Sequence, residues 1–226
     1  MKSSGGTTCA KAIQIFEEKT GQSHALTVDL NAGATAVEAE EVKLICMLPP
    51  IEKMDNSLNT LTACRHLSLS TNCIEKMINL PNLKNLQILS LARNQIKRIS
   101  GLEEVGQTLR ELWLSYNQIE RLDGLQPCVK LEVLYMSNNR VKGWEEVEKL
   151  AALPTIVNVL FKGNPFYEAV VRKVLGRIVL QHLARRRVVG IGRDLTLFIG
   201  RACVAALGLL LLRMMSARKC SGGYRS

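Results

Sequence analysis

An α/β solenoid is the fold this sequence predicts: one parallel, concave sheet of five or six short strands, a helical N-terminal cap and a divergent helical or disordered tail. Two observations carry that expectation. The first is a phrase written five times: apolar, two spacers, apolar, one spacer, apolar, two spacers, asparagine. It occurs as Cys64, Leu67, Leu69, Asn72; as Leu86, Leu89, Leu91, Asn94; as Leu109, Leu112, Leu114, Asn117; as Leu131, Leu134, Met136, Asn139; and as Ile156, Val159, Phe161, Asn164. The second is its spacing, since the asparagines recur at steps of 22, 23, 22 and 25 residues.

Phrase and period together are those of a leucine-rich repeat. Each copy supplies a short strand whose inward side chains cannot be buried by that copy alone, so stacking the copies is what creates a core. Each asparagine follows its strand at a sharp turn, where a side-chain amide pairs with backbone groups that no regular ladder reaches.

The flanking elements follow in order. Thr8 to Thr20 reads as a short helix, with Ile13 and Phe16 at helical spacing and Gly21 as its stop. Ser23 to Val37 lacks periodicity and reads as a loop. Val42 to Leu58, with Ile51, Met54 and Leu58 spaced like the back half of a repeat, predicts a degenerate first repeat shielding the sheet edge. Between strands, the runs Ile96, Ile99, Leu102, Val105 and Ile119, Leu122, Leu125, Cys128 suit a turn of helix or 3₁₀ on the convex side. The resulting divisions are residues 1–41, helix and loop; 42–168, repeats; and 169–226, a basic apolar tail.

Charge separates that tail from the rest. From Ala169 onward there are twelve Lys or Arg against the single Asp194, a balance of +11, whereas the first 168 residues hold 18 basic and 19 acidic side chains. Within the tail, Val170 to Arg187 reads as an amphipathic basic helix. Leu195 to Leu212 is an apolar run of marginal bilayer-spanning length, interrupted by Arg201, and is the one segment through which a membrane could be engaged. The seven cysteines include no C-x-x-C pair, and Cys64 and Cys128 stand at repeat positions that call for burial. Met1 to Thr20 contains no apolar run of leader length, which together with reduced thiols predicts a cytoplasmic chain.

Catalytic patterns are absent from the sequence. His24, His66 and His182 have no metal-ligand spacing, and neither a phosphate-binding glycine loop nor a G-x-S-x-G elbow occurs. The expectation is a binding protein with no catalytic residues, no metal and no cofactor. Strand alternation locates the binding face. One outward row should hold Ser68, Ser90, Trp113, Tyr135 and Leu160, and the other His66, Ile88, Glu111, Val133 and Asn158. Trp113, Tyr135, Leu160 and Val133 then form one exposed apolar patch with Ile88 beside it and Arg93 and Tyr116 on its rim, while His66 and Glu111 read as ordinary solvated positions. Trp, Tyr and Arg are enriched in binding hot spots, which favours a protein partner over mutual cross-strand cover.

Strings between the repeats carry a resemblance. Thr7-Thr8, Phe16-Glu-Glu-Lys-Thr-Gly-Gln22, Pro49-Pro-Ile-Glu-Lys-Met-Asp55, Leu67-Ser-Leu-Ser-Thr-Asn-Cys-Ile-Glu-Lys76, Glu111-Leu-Trp-Leu-Ser-Tyr-Asn117 and Leu134-Tyr-Met-Ser-Asn-Asn139 closely resemble the leucine-rich repeat light chains of axonemal outer-arm dynein. The similarity covers about residues 7–168, with Ser23 to Val37 as an insertion. It implies a non-catalytic subunit of ciliary and flagellar dynein that binds the heavy-chain motor near its microtubule-binding stalk, contacts tubulin and adjusts motility. From Tyr167 on, the family's charged C-terminal helical segment is replaced by the basic apolar tail, so contacts made there are not carried over. The tail reads as a native extension, a membrane anchor or, the favoured reading, sequence from a misassigned final exon. Two other functions fit the tail alone: a membrane-anchored repeat adaptor, and an Arg-rich nucleic-acid-associated protein. No nucleic-acid partner is expected, because the tail's arginines lack interleaved aromatics.

Overall fold

The computed structural model describes residues 5–22 and 35–171. Readings that fall elsewhere, including the apolar run Leu195 to Leu212 and the tail helix beyond residue 171, lie outside the described residues.

Six three-residue strands form one parallel sheet in chain order: β1 (Glu41–Lys43), β2 (His66–Ser68), β3 (Ile88–Ser90), β4 (Glu111–Trp113), β5 (Val133–Tyr135) and β6 (Asn158–Leu160). Their register is strict. Val42, Leu67, Leu89, Leu112, Leu134 and Val159 pair in one continuous row, so the phrase's central apolar residue stacks on its counterpart in every neighbour. From β1 to β5 that row is essentially fully buried, together with Leu44, Leu69, Leu91, Leu114 and Met136 one step further on. Val159 in β6 is only partly covered.

The asparagines lock these rungs together. Asn117 Oδ1 accepts from Ile96 N–H at 2.9 Å, and its Nδ2 donates to Leu91 O at 2.9 Å and Leu114 O at 3.1 Å. Asn94, Asn139 and Asn164 repeat the pattern on their own rungs, each joining its own strand-end carbonyl to that of the preceding repeat. The residue just before the asparagine is left-handed in every case: Thr71, Arg93, Tyr116 and Asn138 have φ between 54° and 60°, and Gly163 has 79°. Such a conformation costs a non-glycine residue energy, and the buried asparagine network holds it in place.

The first strand, β1, comes from a repeat whose signature has drifted. Ala39, Val42, Leu44 and Met47 keep the phrase's spacing, but methionine stands where asparagine belongs. Ile51, Met54 and Leu58 are buried behind it, as expected of its back half. Helix α1 (Cys9–Gln22) starts one residue later than expected because Thr8 is its cap, the Oγ1 accepting from Lys11 N–H at 3.2 Å. It also passes through Gly21, which a helix tolerates at a modest cost. Its buried face is Cys9, Ala12 and Ile13, with Phe16 only partly covered. Asp55 ties the helix down, accepting from Cys9 N–H at 3.0 Å and Ser57 N–H at 2.9 Å. Within the expected loop, Thr35 to Glu38 form a turn, and Ala36 is buried with its N–H on Glu17 Oε1 at 2.9 Å.

On the back of the sheet, 3₁₀ helices occur at Asn56–Thr60 and Lys149–Ala152, the latter continuing the short α2 (Trp144–Glu148). The middle repeats use hydrogen-bonded turns instead, such as Gly106 N–H to Leu102 O at 2.8 Å. Gly101 and Gly124 occupy equivalent turns with φ of 72° and 93°, where a Cβ would overlap the backbone of Ile78 or Ile99 in the preceding repeat. Aromatics pack together at the C-terminal end: the ring centroid of Phe166, in the helical stretch 165–171, lies 5.3 Å from that of Phe161 and 6.0 Å from that of Trp144.

Candidate partner-binding face

The register places Lys43, Ser68, Ser90, Trp113, Tyr135 and Leu160 in one outward row and Glu41, His66, Ile88, Glu111, Val133 and Asn158 in the other. Both rows are those the alternation predicts, extended by one strand. Trp113 and Tyr135 are neighbours with ring centroids 5.9 Å apart, and Leu160 pairs with Tyr135 on the next strand. Val133 lies beside them in the second row. Ile88 is separated from Val133 by β4 and sits beyond Glu111. Arg93 and Tyr116 form one rim unit, the guanidinium carbon 4.6 Å from the ring centroid, and both occupy the left-handed position that precedes a buried asparagine.

Coverage differs from the sequence expectation in three places. Trp113, Tyr135 and Val133 are half-buried, and of the expected patch Leu160 (45%) and the rim residues Tyr116 (49%) and Arg93 are exposed. The rings shield each other, so the cross-strand alternative supplies part of the cover. His66 is not a solvated position. Its Nδ1 lies 2.8 Å from Glu41 Oε1, and its ring meets Trp113 edge-on at 5.8 Å, reaching across the small Ser90 of the intervening strand. His66 Nε2 is buried without a hydrogen-bond partner. Glu111 likewise has a structural task, accepting the Trp113 indole N–H at 3.0 Å and so fixing the ring's orientation.

A division across the face follows. Toward β1 it is small and polar: Ser68 and Ser90 point outward yet are almost fully covered, and Ser70 bridges to both, at 3.3 Å and 2.7 Å. Partial burial alone would raise the Glu41 carboxyl, but Lys43 and His66 hold it below the ordinary carboxylate value. Toward β6 the face is aromatic and apolar. In the core Cys64 and Cys128 are buried, their thiols pushed up to about 12 by desolvation, which removes them from nucleophilic chemistry. Among the described residues no cluster of metal-ligating side chains occurs, and no helix is long and apolar enough to cross a membrane.

A leucine-rich repeat protein is the class that the fold and this face define. Residues 107–151 match the family described as Leucine Rich repeats (2 copies). Dynein axonemal light chain 1 of Danio rerio is 55% identical over 162 residues, covering 72% of this chain and 78% of that protein. Its namesake in Chlamydomonas reinhardtii is 52% identical over 161 residues, covering 71% and 75%. Among solved structures, a chain in the Drosophila melanogaster SNF/U2A' complex aligns at 25% identity and a TM-score of 0.44, over 65% of this chain and 95% of its own length. The chain belongs to the dynein axonemal light chain 1 family, whose members are non-catalytic.

Proposed function

We propose that this chain works as a non-catalytic light chain of axonemal outer-arm dynein in cilia or flagella, seating the heavy-chain motor region on the aromatic half of its sheet face. The observation that carries the site is the run Trp113, Tyr135, Leu160 across three adjacent strands, with the Arg93–Tyr116 pair at its edge. Trp113 is oriented in advance by Glu111 and His66, so docking costs little side-chain entropy. Hot spots are enriched in Trp, Tyr and Arg, the residue types gathered here. ATP hydrolysis belongs to the heavy chain. Seated near the motor's microtubule-binding region, the light chain adjusts motility by its position and contacts tubulin from there.

The test is capture of the full-length chain by a heavy-chain motor fragment at matched folded concentration. Trp113→Ala and Tyr135→Ala should each weaken binding by about 2 kcal/mol, roughly thirtyfold. Leu114→Ala, which opens a cavity in the core, should instead destabilise the fold by about 2 to 5 kcal/mol. Normal capture by the Trp113→Ala, Tyr135→Ala double variant would move the heavy-chain site off this face.

A further inference from the structure

On the flank where the chain leaves the strands, the segments following Asn94, Asn117 and Asn139 line a groove of about 520 Å³. Its walls are held in register by the backbone, with Gln118 N–H on Ile96 O and Arg140 N–H on Ile119 O, both at 2.9 Å. Four cations face it, Lys97, Arg98, Arg121 and Arg140, against two carboxylates, Glu120 and Asp123. Asp123 is taken by Arg121 at 2.7 Å and Lys149 at 2.6 Å, and Glu120 by Lys142 at 3.6 Å. The side chains of Lys97, Arg98 and Arg140 are exposed and have no ion-pair or hydrogen-bond partner among the described residues.

The groove on the opposite flank shows that this is not simply the habit of the fold. There Arg65, Lys84, Arg110 and Lys130 also line a depression, but the first three are matched within the chain, by Glu40 at 3.4 Å, Glu104 at 3.2 Å and Glu132 at 2.7 Å, which leaves Lys130 alone unpaired among the described residues. Three of four cations are thus neutralised on one flank and one of four on the other.

We propose that the Lys97–Arg98–Arg140 groove receives an extended acidic peptide segment of a partner protein, whose carboxylates pair with those three cations. The chain's own tail is no candidate occupant, since with twelve basic residues against one acidic residue it is repelled. A nucleic acid fits less well, because Glu120 and Asp123 would face its unbroken line of phosphates, and no aromatic side chain lines the groove to stack on bases. Separate carboxylates on an extended chain can meet the cations and pass the acids by. This surface is distinct from the sheet face, and the proposal does not depend on the heavy-chain assignment.

Fluorescence anisotropy of the full-length chain with labelled decaglutamate tests it, at about 50 mM salt so that surface pairs are weakly screened. The triple variant Lys97→Gln, Arg98→Gln, Arg140→Gln should bind about tenfold more weakly, the sum of three modest surface pairs. The control Arg185→Gln, Arg186→Gln, Arg187→Gln removes the same charge from the tail and should cost less than roughly threefold. Unchanged melting curves establish that both variants fold. Equal losses in the two triples would reduce the effect to net charge and overturn the site, as would unchanged peptide affinity in the groove triple. A loss for a thymidine decanucleotide as large as that for the peptide would overturn the peptide assignment in favour of a general polyanion surface. The Trp113→Ala, Tyr135→Ala variant should bind decaglutamate normally whatever its heavy-chain capture; weakened peptide binding there would transfer the acidic segment to the sheet face.

Discussion

Asn117 lies in the middle of the asparagine network, and two substitutions at that position separate hydrogen bonding from charge. In Asn117→Ala three bonds vanish, but their consequences are unequal. Leu91 O keeps a bond from Asn94, and Leu114 O keeps one from Asn139. Ile96 N–H, whose partner was Asn117 Oδ1, is left buried and unpaired. One orphaned amide costs about 1 to 3 kcal/mol and two weakened acceptors about 0.5 to 1 kcal/mol each, so the expected loss is about 2 to 5 kcal/mol. Asn117→Asp preserves the acceptor for Ile96 but turns a second oxygen toward the two carbonyls. At neutral pH that carboxylate is repelled and buried, and the variant should be less stable than Asn117→Ala. Protonation restores one donor, so the introduced group should titrate well above its ordinary value of about 3.9. The folded state then binds the proton more tightly than the unfolded one, and stability relative to wild type should fall as pH rises through this interval. Urea unfolding followed by Trp113 and Trp144 fluorescence from pH 4 to pH 8 reads the comparison. If Asn117→Asp equals wild type at pH 7, or shows no pH-dependent deficit, the reasoning about the amide's donor face is refuted.

The remaining predictions concern the N-terminal helix and the cysteines. Partial burial pushes the Asp55 carboxyl up, but the donors on Ser57 and Cys9 overcome this and hold it below the ordinary carboxylate value. Asp55→Ala should therefore cost about 1 kcal/mol at pH 7, and the gap to wild type should close as pH falls through the lowered folded value, as urea midpoints from pH 7 to pH 3 would reveal; a gap that persists at pH 3 would show that the carboxylate's charge plays no part. Brief alkylation at pH 8 followed by peptide mapping should modify exposed Cys46 while sparing Cys9, Cys64 and Cys128, whose thiols burial pushes up to about 11, 12 and 12. Fast labelling of Cys64 in the native protein would contradict its place under the sheet.

Sequence period carried most of the fold because the repeat's side chains have fixed directions: leucines point in, asparagine bonds backbone, and the intervening residues face out. The first strand escaped full recognition because Ala39, Val42, Leu44 and Met47 preserve spacing but not residue type. Matching the spacing without the asparagine recovers it. For the sheet face, direction was legible and coverage was not. Whether Trp113 is exposed depends on Tyr135 one strand away and His66 two strands away, and such lateral cover comes from ring size and rotamer rather than from any pattern along the chain. His66 had no sequence signal of its own, although its rank opposite Glu41 becomes visible once the degenerate first repeat is aligned.

The incomplete cover of β6 has a consequence for how the molecule opens. In a stack where each rung touches only its neighbours, local stability follows local burial, and fraying starts at the weakest end. The inward row is sealed through Leu134, but Val159 is half open, Val157 is 81% exposed and Leu160 45%. Amide exchange should therefore be fastest at β6 and slow progressively toward β3, with unzipping running from the C-terminal rung. Leu160, the outermost apolar residue of the face, stands on that loosest rung. A partner that settles on Leu160 would also finish the edge beneath it, so that occupancy and local order rise together, and the light chain would be stiffer in complex than alone.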